Sequence, residues 1–179
     1  MKKKWSTIEV LKHTRHDWLN KIQLIKGNIA LQKLDRVNAI IEEIVIDAQN
    51  ESNLTNLHIP SFACLVMTYN WEPHKCQLEY EVIGDTRDLS NYDHLITEWS
   101  IQFLSKLEES VDEMSDNHLS ISIDTSAQET RFFFDFNGIL KESETLTEWF
   151  QAINNQFQSI QISEYEVHKE EVSVKLHIA

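Results

Sequence analysis

The sequence predicts an α+β protein. An antiparallel helical hairpin over residues 1–57 pairs with a second copy into a dimeric four-helix bundle, and an α/β sandwich follows over residues 58–179. Three observations predict this. Positions 11, 15, 18, 22, 25 and 29 form an apolar seam interrupted only by Arg15, with alternating spacings of four and three residues, the 3.5-residue repeat of a helical bundle. After Pro60 the apolar runs shorten and begin to alternate with period two, as half-buried strands do. The 179 residues are 41% hydrophobic and 25% charged, enough for one large core or two small ones and unlike a disordered chain.

The first helix opens at Ser6-Thr7-Ile8-Glu9, a capping box in which Ser6 caps and Glu9 reaches back. It is expected to run to about Lys33, with Leu11, Trp18, Ile22, Ile25 and Ile29 on its seam. Asp35 is the expected N-cap of a second helix, whose seam is Val37, Ile40, Ile41, Ile44 and Ala48 and which gives out in the polar stretch from Gln49 to Asn56. A lone hairpin cannot bury both seams, so pairing between two chains follows from packing. Beyond His58-Ile59-Pro60, a buried helix is expected from Pro60 to about Asn70, a strand from Gln77 to Ile83 and an amphipathic helix from Tyr92 to Val111. Then come strands at His118–Asp124 and Arg131–Phe136, a helix from about Glu144 to Phe157, and strands at Ile160–His168 and Val172–Ile178. The short turns between strands predict a largely antiparallel or mixed sheet with helices on one face.

Charge is divided unevenly. Residues 1–36 carry nine Lys and Arg against Glu9, Asp17 and Asp35, a net of +6, while the other 143 residues carry seven against 26, a net of −19. A basic head suits an anionic partner, and an acidic body repels nucleic acid and anionic membranes; a merely solvated basic N-terminus is the plainer alternative. No apolar run approaches the roughly 20 residues that span a bilayer, and Met1 to Trp5 leads into an amphipathic segment, so a cytoplasmic location is expected. Cys64 and Cys76 fit no CxxC pattern and are expected to be reduced core residues.

At about 100° per residue, His16 lies about 120° from the seam centre at Ile22, on the face shared by Lys12, Asn20, Gln23 and Gly27. It is therefore expected to face solvent. A neutral imidazole is nucleophilic near neutral pH, and a neighbouring carboxylate such as Asp17 can orient the ring while the other nitrogen takes up a phosphoryl group. Gly27 keeps side-chain bulk off that face; an ordinary mid-helix glycine, at a cost of about 1 kcal/mol, is the alternative. His13, His16 and Asp17 sit at i, i+3 and i+4, but no HExxH or Cys/His cluster supports a metal site there, and none is predicted. Leu24 and Leu31 lie off the seam and suit either a docking surface or packing on the second domain.

The run HTRHDWLNKIQLIKGN, from His13 to Asn28, resembles the phosphoacceptor helix of the sporulation initiation phosphotransferase B family, and it also fits the broader His-[Asp/Glu]-x-x-Asn pattern of histidine-kinase dimerisation domains. The resemblance continues through Leu34-Asp35-Arg36-Val37 and the second helix. It implies that His16 is phosphorylated, with Arg15, Asp17 and Asn20 flanking it, and that the donor and acceptor are aspartates of response-regulator receiver domains in a phosphorelay that starts sporulation. It further implies a homodimer with no cofactor of its own, Mg²⁺ being held by the receiver.

The resemblance also implies that the second domain is a degenerate histidine-kinase-like ATPase domain. Such kinases use metal-binding asparagines and an Asp-x-Gly-x-Gly box; here Thr97-Glu98-Trp99-Ser100-Ile101 and Asp135-Phe136-Asn137-Gly138 stand in their places, with Gly84 and Gly138 the only glycines after residue 27. A phosphate cradle needs closely approaching backbone amides, which these parts do not supply. A phosphotransferase that is not an ATP-dependent kinase is therefore expected. The alternatives are a catalytically silent dimeric adaptor and an autophosphorylating kinase.

Overall fold

The computed structural model describes residues 5–153 and 160–178. Five α-helices, α1 (Thr7–Ala30), α2 (Leu34–Thr55), α3 (Pro60–Met67), α4 (Asp93–Ser110) and α5 (Ser143–Ile153), accompany five strands, β1 (Gln77–Ile83), β2 (His118–Asp124), β3 (Thr130–Asn137), β4 (Ile160–Val167) and β5 (Glu171–Ile178). The last residues of the helix expected to reach Phe157 lie outside the described residues. Among the described residues no helix is long and apolar enough to cross a membrane.

The Ser6–Glu9 capping box forms as expected, with the Glu9 amide donating to Ser6 Oγ at 3.3 Å and the Ser6 amide to Glu9 Oε2 at 2.9 Å. α1 ends three residues short of Lys33 because Gln32 takes the left-handed conformation (φ 56°) and the Lys33 amide bonds back to the Asn28 carbonyl. Asp35 does not cap α2: the helix begins at Leu34, and Asp35 sits in the first turn, where its charge suits the helix N-terminus. The polar stretch does not stop α2 either.

By compactness the chain divides into two units between Gln49 and Asn50. The cause is packing: Leu54 and Leu57 are wholly buried in the core of the second unit, so the final turns of α2 belong with it. Tertiary burial overrides the weak helix propensity of Asn, Ser and Thr there.

In the second unit the strands form one mixed sheet in the order β1-β2-β3-β5-β4, parallel between β1 and β2 and antiparallel elsewhere. Buried and exposed residues alternate along β2, β3 and β5, so Leu119, Ile121, Ile123, Phe132, Phe134, Phe136, Val172, Val174 and Leu176 form one apolar face. Phe62 of α3 meets Phe132, Trp99 of α4 meets Phe134, and Phe150 of α5 stacks on Tyr165 of β4, which puts all three helices on that face. α3 has no cap of its own. Asp93, at the start of α4, accepts from the Ser61 and Phe62 amides at 3.0 Å and supplies one from a distance in sequence.

Glu108 on α4 collects a second set of polar groups, accepting from the Tyr69 hydroxyl at 2.9 Å and from the Lys75 amide at 3.0 Å. Burial, with the Glu108 charge nearby, pushes the Cys76 thiol up to about 12. Cys76 is the reduced core residue expected, but Cys64 is exposed on α3 and corrects the expectation for it: positions 62, 63 and 66 face the core, which turns position 64 outward. A maleimide at neutral pH is therefore expected to label one thiol in the native protein and two after denaturation. Two rapid native labels would contradict this burial.

Candidate functional site: a histidine on α1

His16 lies midway along α1, with its side chain 72% exposed, on the solvent side as the helical phase requires. Its Nδ1 atom is 3.3 Å from Asp17 Oδ1 and 3.3 Å from Asn20 Nδ2. Asn20 reaches it because residues four apart stack on one face, and Asp17 because adjacent side chains can lean across the helix surface. Both contacts are on Nδ1. Among the described residues nothing bonds Nε2, so the ring presents that nitrogen outward.

Three of the four residues singled out from the sequence, His16, Asp17 and Asn20, are thus brought together around one ring. Arg15 is exposed beside them, and no contact ties its guanidinium to the imidazole. His13 is not part of this group: Trp5 packs edge-on against its ring, with centroids 5.0 Å apart. Among the described residues no three His, Cys, Asp or Glu side chains are placed to hold a metal ion. Among the described residues a Cβ built on Gly27 meets nothing within 4 Å, so no packing with them requires glycine there.

Sequence reading missed one contact near the histidine. Lys21 of α1, the residue after Asn20, bonds Asp47 of α2 at 2.7 Å and ties the hairpin together. Opposite charges 26 residues apart carry no local signal, because the pairing depends on the hairpin's register.

The apolar seam remains uncovered in the single chain. No residue of α1 is buried; Leu11, Trp18, Ile22 and Ile29 are each at least half exposed, and of the α2 seam residues only Val37 and Ile40 are buried.

Residues 1–57 match the family described as Sensor_kinase_SpoOB-type, alpha-helical domain, and residues 58–179 match Sporulation initiation phospho-transferase B, C-terminal. The chain belongs to the sporulation initiation phosphotransferase B family. It is 38% identical over 171 residues to sporulation initiation phosphotransferase B of Bacillus subtilis (strain 168), covering 94% of this chain and 88% of that one. Similar solved structures include the catalytic domain of histidine kinase ThkA (12% identity, 70% of this chain and 91% of that one, TM-score 0.47) and Acinetobacter baumannii histidine kinase AdeS (10%, 92% and 97%, TM-score 0.40). Membership in this family makes the protein a phosphotransferase of a sporulation phosphorelay.

In that setting the second unit has parts with plain structural uses. Gly84 has φ 101°, and a Cβ there would lie 2.5 Å from the Ser126 amide nitrogen; a Cβ on Gly138 would strike the side chains of Asn117 and Phe136. Trp99, Phe103, Phe134, Trp149 and Phe150 pack ring on ring between α4, α5 and the sheet. Asp135 points to the opposite, exposed face of β3, where desolvation and the Glu171 charge raise its carboxyl above the usual range.

Proposed function

We propose that His16 accepts a phosphoryl group from the phosphorylated aspartate of one response-regulator receiver domain and passes it to the aspartate of another, in the cytoplasm. The observation that carries this reading is an exposed imidazole with Nδ1 turned to a carboxylate and Nε2 open to solvent. In the transfer, the Nε2 lone pair forms the N–P bond, the P–O bond to the receiver's aspartate breaks, and its electron pair returns to that carboxylate. Asp17 offsets the positive charge that the ring acquires. Arg15, free to extend, holds a phosphoryl oxygen as negative charge passes to the group. Mg²⁺ on the receiver neutralises the rest, and the basic head of the chain draws in the acidic metal site.

The working unit is a homodimer in which the exposed seams of two hairpins cover each other as a four-helix bundle. The second domain binds no nucleotide in this reading. Its support is the ring packing around Trp99, the structural use of both glycines and the outward direction of Asp135.

The test is incubation with a phosphorylated receiver domain. Acid-labile, base-stable label is expected to appear on the protein, whereas a silent adaptor would take none. Millimolar ATP with Mg²⁺ is expected to leave the melting temperature unchanged. A ligand at 100 times its dissociation constant would add about 2.7 kcal/mol to the native state, so a clear upward shift would revive the kinase reading.

A further inference from the structure

We propose that Asn20 is a positioning residue that sets the tautomer of His16, and through it how readily the ring is loaded and how long a phosphoryl group stays there. The lifetime part rests on His16 being the phosphoacceptor; the tautomer part does not.

Nδ1 has a single in-plane position, which is either an N–H or a lone pair. A carboxylate oxygen only accepts and an amide nitrogen only donates. Asp17 Oδ1 and Asn20 Nδ2, both 3.3 Å away, therefore cannot bond the same Nδ1 at once. Each contact is longer than the roughly 2.9 Å of a well-made hydrogen bond, as befits two groups competing for one atom.

The two choices have opposite chemistry. When Nδ1–H donates to Asp17, the lone pair is on Nε2, the exposed nitrogen, and the ring is a nucleophile. When Asn20 donates to the Nδ1 lone pair, the proton is on Nε2 and attack from that atom is blocked.

The same choice recurs after loading. A neutral Nε2-phosphoimidazole has a lone pair on Nδ1, which Asn20 satisfies. Expelling the phosphoryl group from it would leave an anionic ring, so this form keeps its load. With a proton on Nδ1, donated to Asp17, the N–P bond breaks with its electron pair returning to Nε2, and a neutral imidazole leaves as the P–O bond to a receiver carboxylate or to water forms. Asp17 thus favours both loading and unloading, and Asn20 opposes both. Together they make His16 a store that opens when a partner supplies the rest of the site.

The experiment compares wild type with Asn20→Ala and the isosteric Asn20→Asp, neither of which retains the amide donor. Ring-¹⁵N-labelled histidine spectra, with His16 assigned by its absence in His16→Gln, are expected to move toward the Nδ1–H tautomer in both variants. The phosphorylated proteins, freed of receiver, are expected to lose label roughly two- to tenfold faster, the range one net hydrogen bond supplies. Unchanged ring shifts in both variants, or a longer lifetime, would overturn the proposal. Wild type that takes no label would instead remove the phosphoacceptor reading and the lifetime effect with it, while the ring spectra still decide whether Asn20 governs the tautomer.

Discussion

Replacing His16 by glutamine is expected to abolish phosphoryl uptake from a receiver domain while leaving the fold intact. The side chain is 72% exposed, and a solvent-facing helical position of this kind usually shifts stability by no more than about 0.5 kcal/mol. What is lost is the imidazole nucleophile on the exposed face of α1. The neighbours should behave differently. Arg15→Ala slows transfer without ending it, since charge neutralisation is shared with the receiver's metal. His13→Gln leaves transfer nearly intact, because that ring is engaged with Trp5 and not with the His16 group. Label incorporation together with a thermal melt checks all three. Label on His16→Gln, or its loss in His13→Gln alone, would move the phosphoacceptor elsewhere on α1.

The second large effect belongs to Ile22→Lys. In a lone chain this position is 53% exposed, so a lysine there would be almost free of cost. In a four-helix bundle it would put an unpaired charge in the core, at a cost on the order of several kcal/mol, and two such charges would face each other across the dimer. The single chain and the bundle therefore predict opposite outcomes. Light scattering at micromolar concentration should give a dimer for wild type and a dissociated or unfolded chain for the variant. A monomeric wild type, or a variant with unchanged mass and melting temperature, would remove the bundle.

Family membership and the position of His16 could be read because their signals are local. A capping box starts α1, the 3.5-residue seam sets its phase, and the phase turns His16 outward. What could not be read is the state of its Nδ1. Asp17 and Asn20 were both visible as flanking residues, but their competition for one ring atom depends on side-chain rotamers that spacing does not specify.

The rest of the chain divides in the same way. Period-two alternation located the strands from β1 to β5 to within a residue or so at most ends, since burial of one sheet face writes itself into every second residue. The capping box and the apolar periods were likewise determined by neighbours within one or two turns. Only the tertiary structure decided that α2 runs on through Thr55, that Asp93 caps α3, that β1 lies parallel to β2, that Lys21 meets Asp47 and that Cys64 faces outward while Cys76 does not. Most of these join residues tens of positions apart, and their stabilisation comes from burial and hydrogen bonds that exist only after the chain has closed on itself.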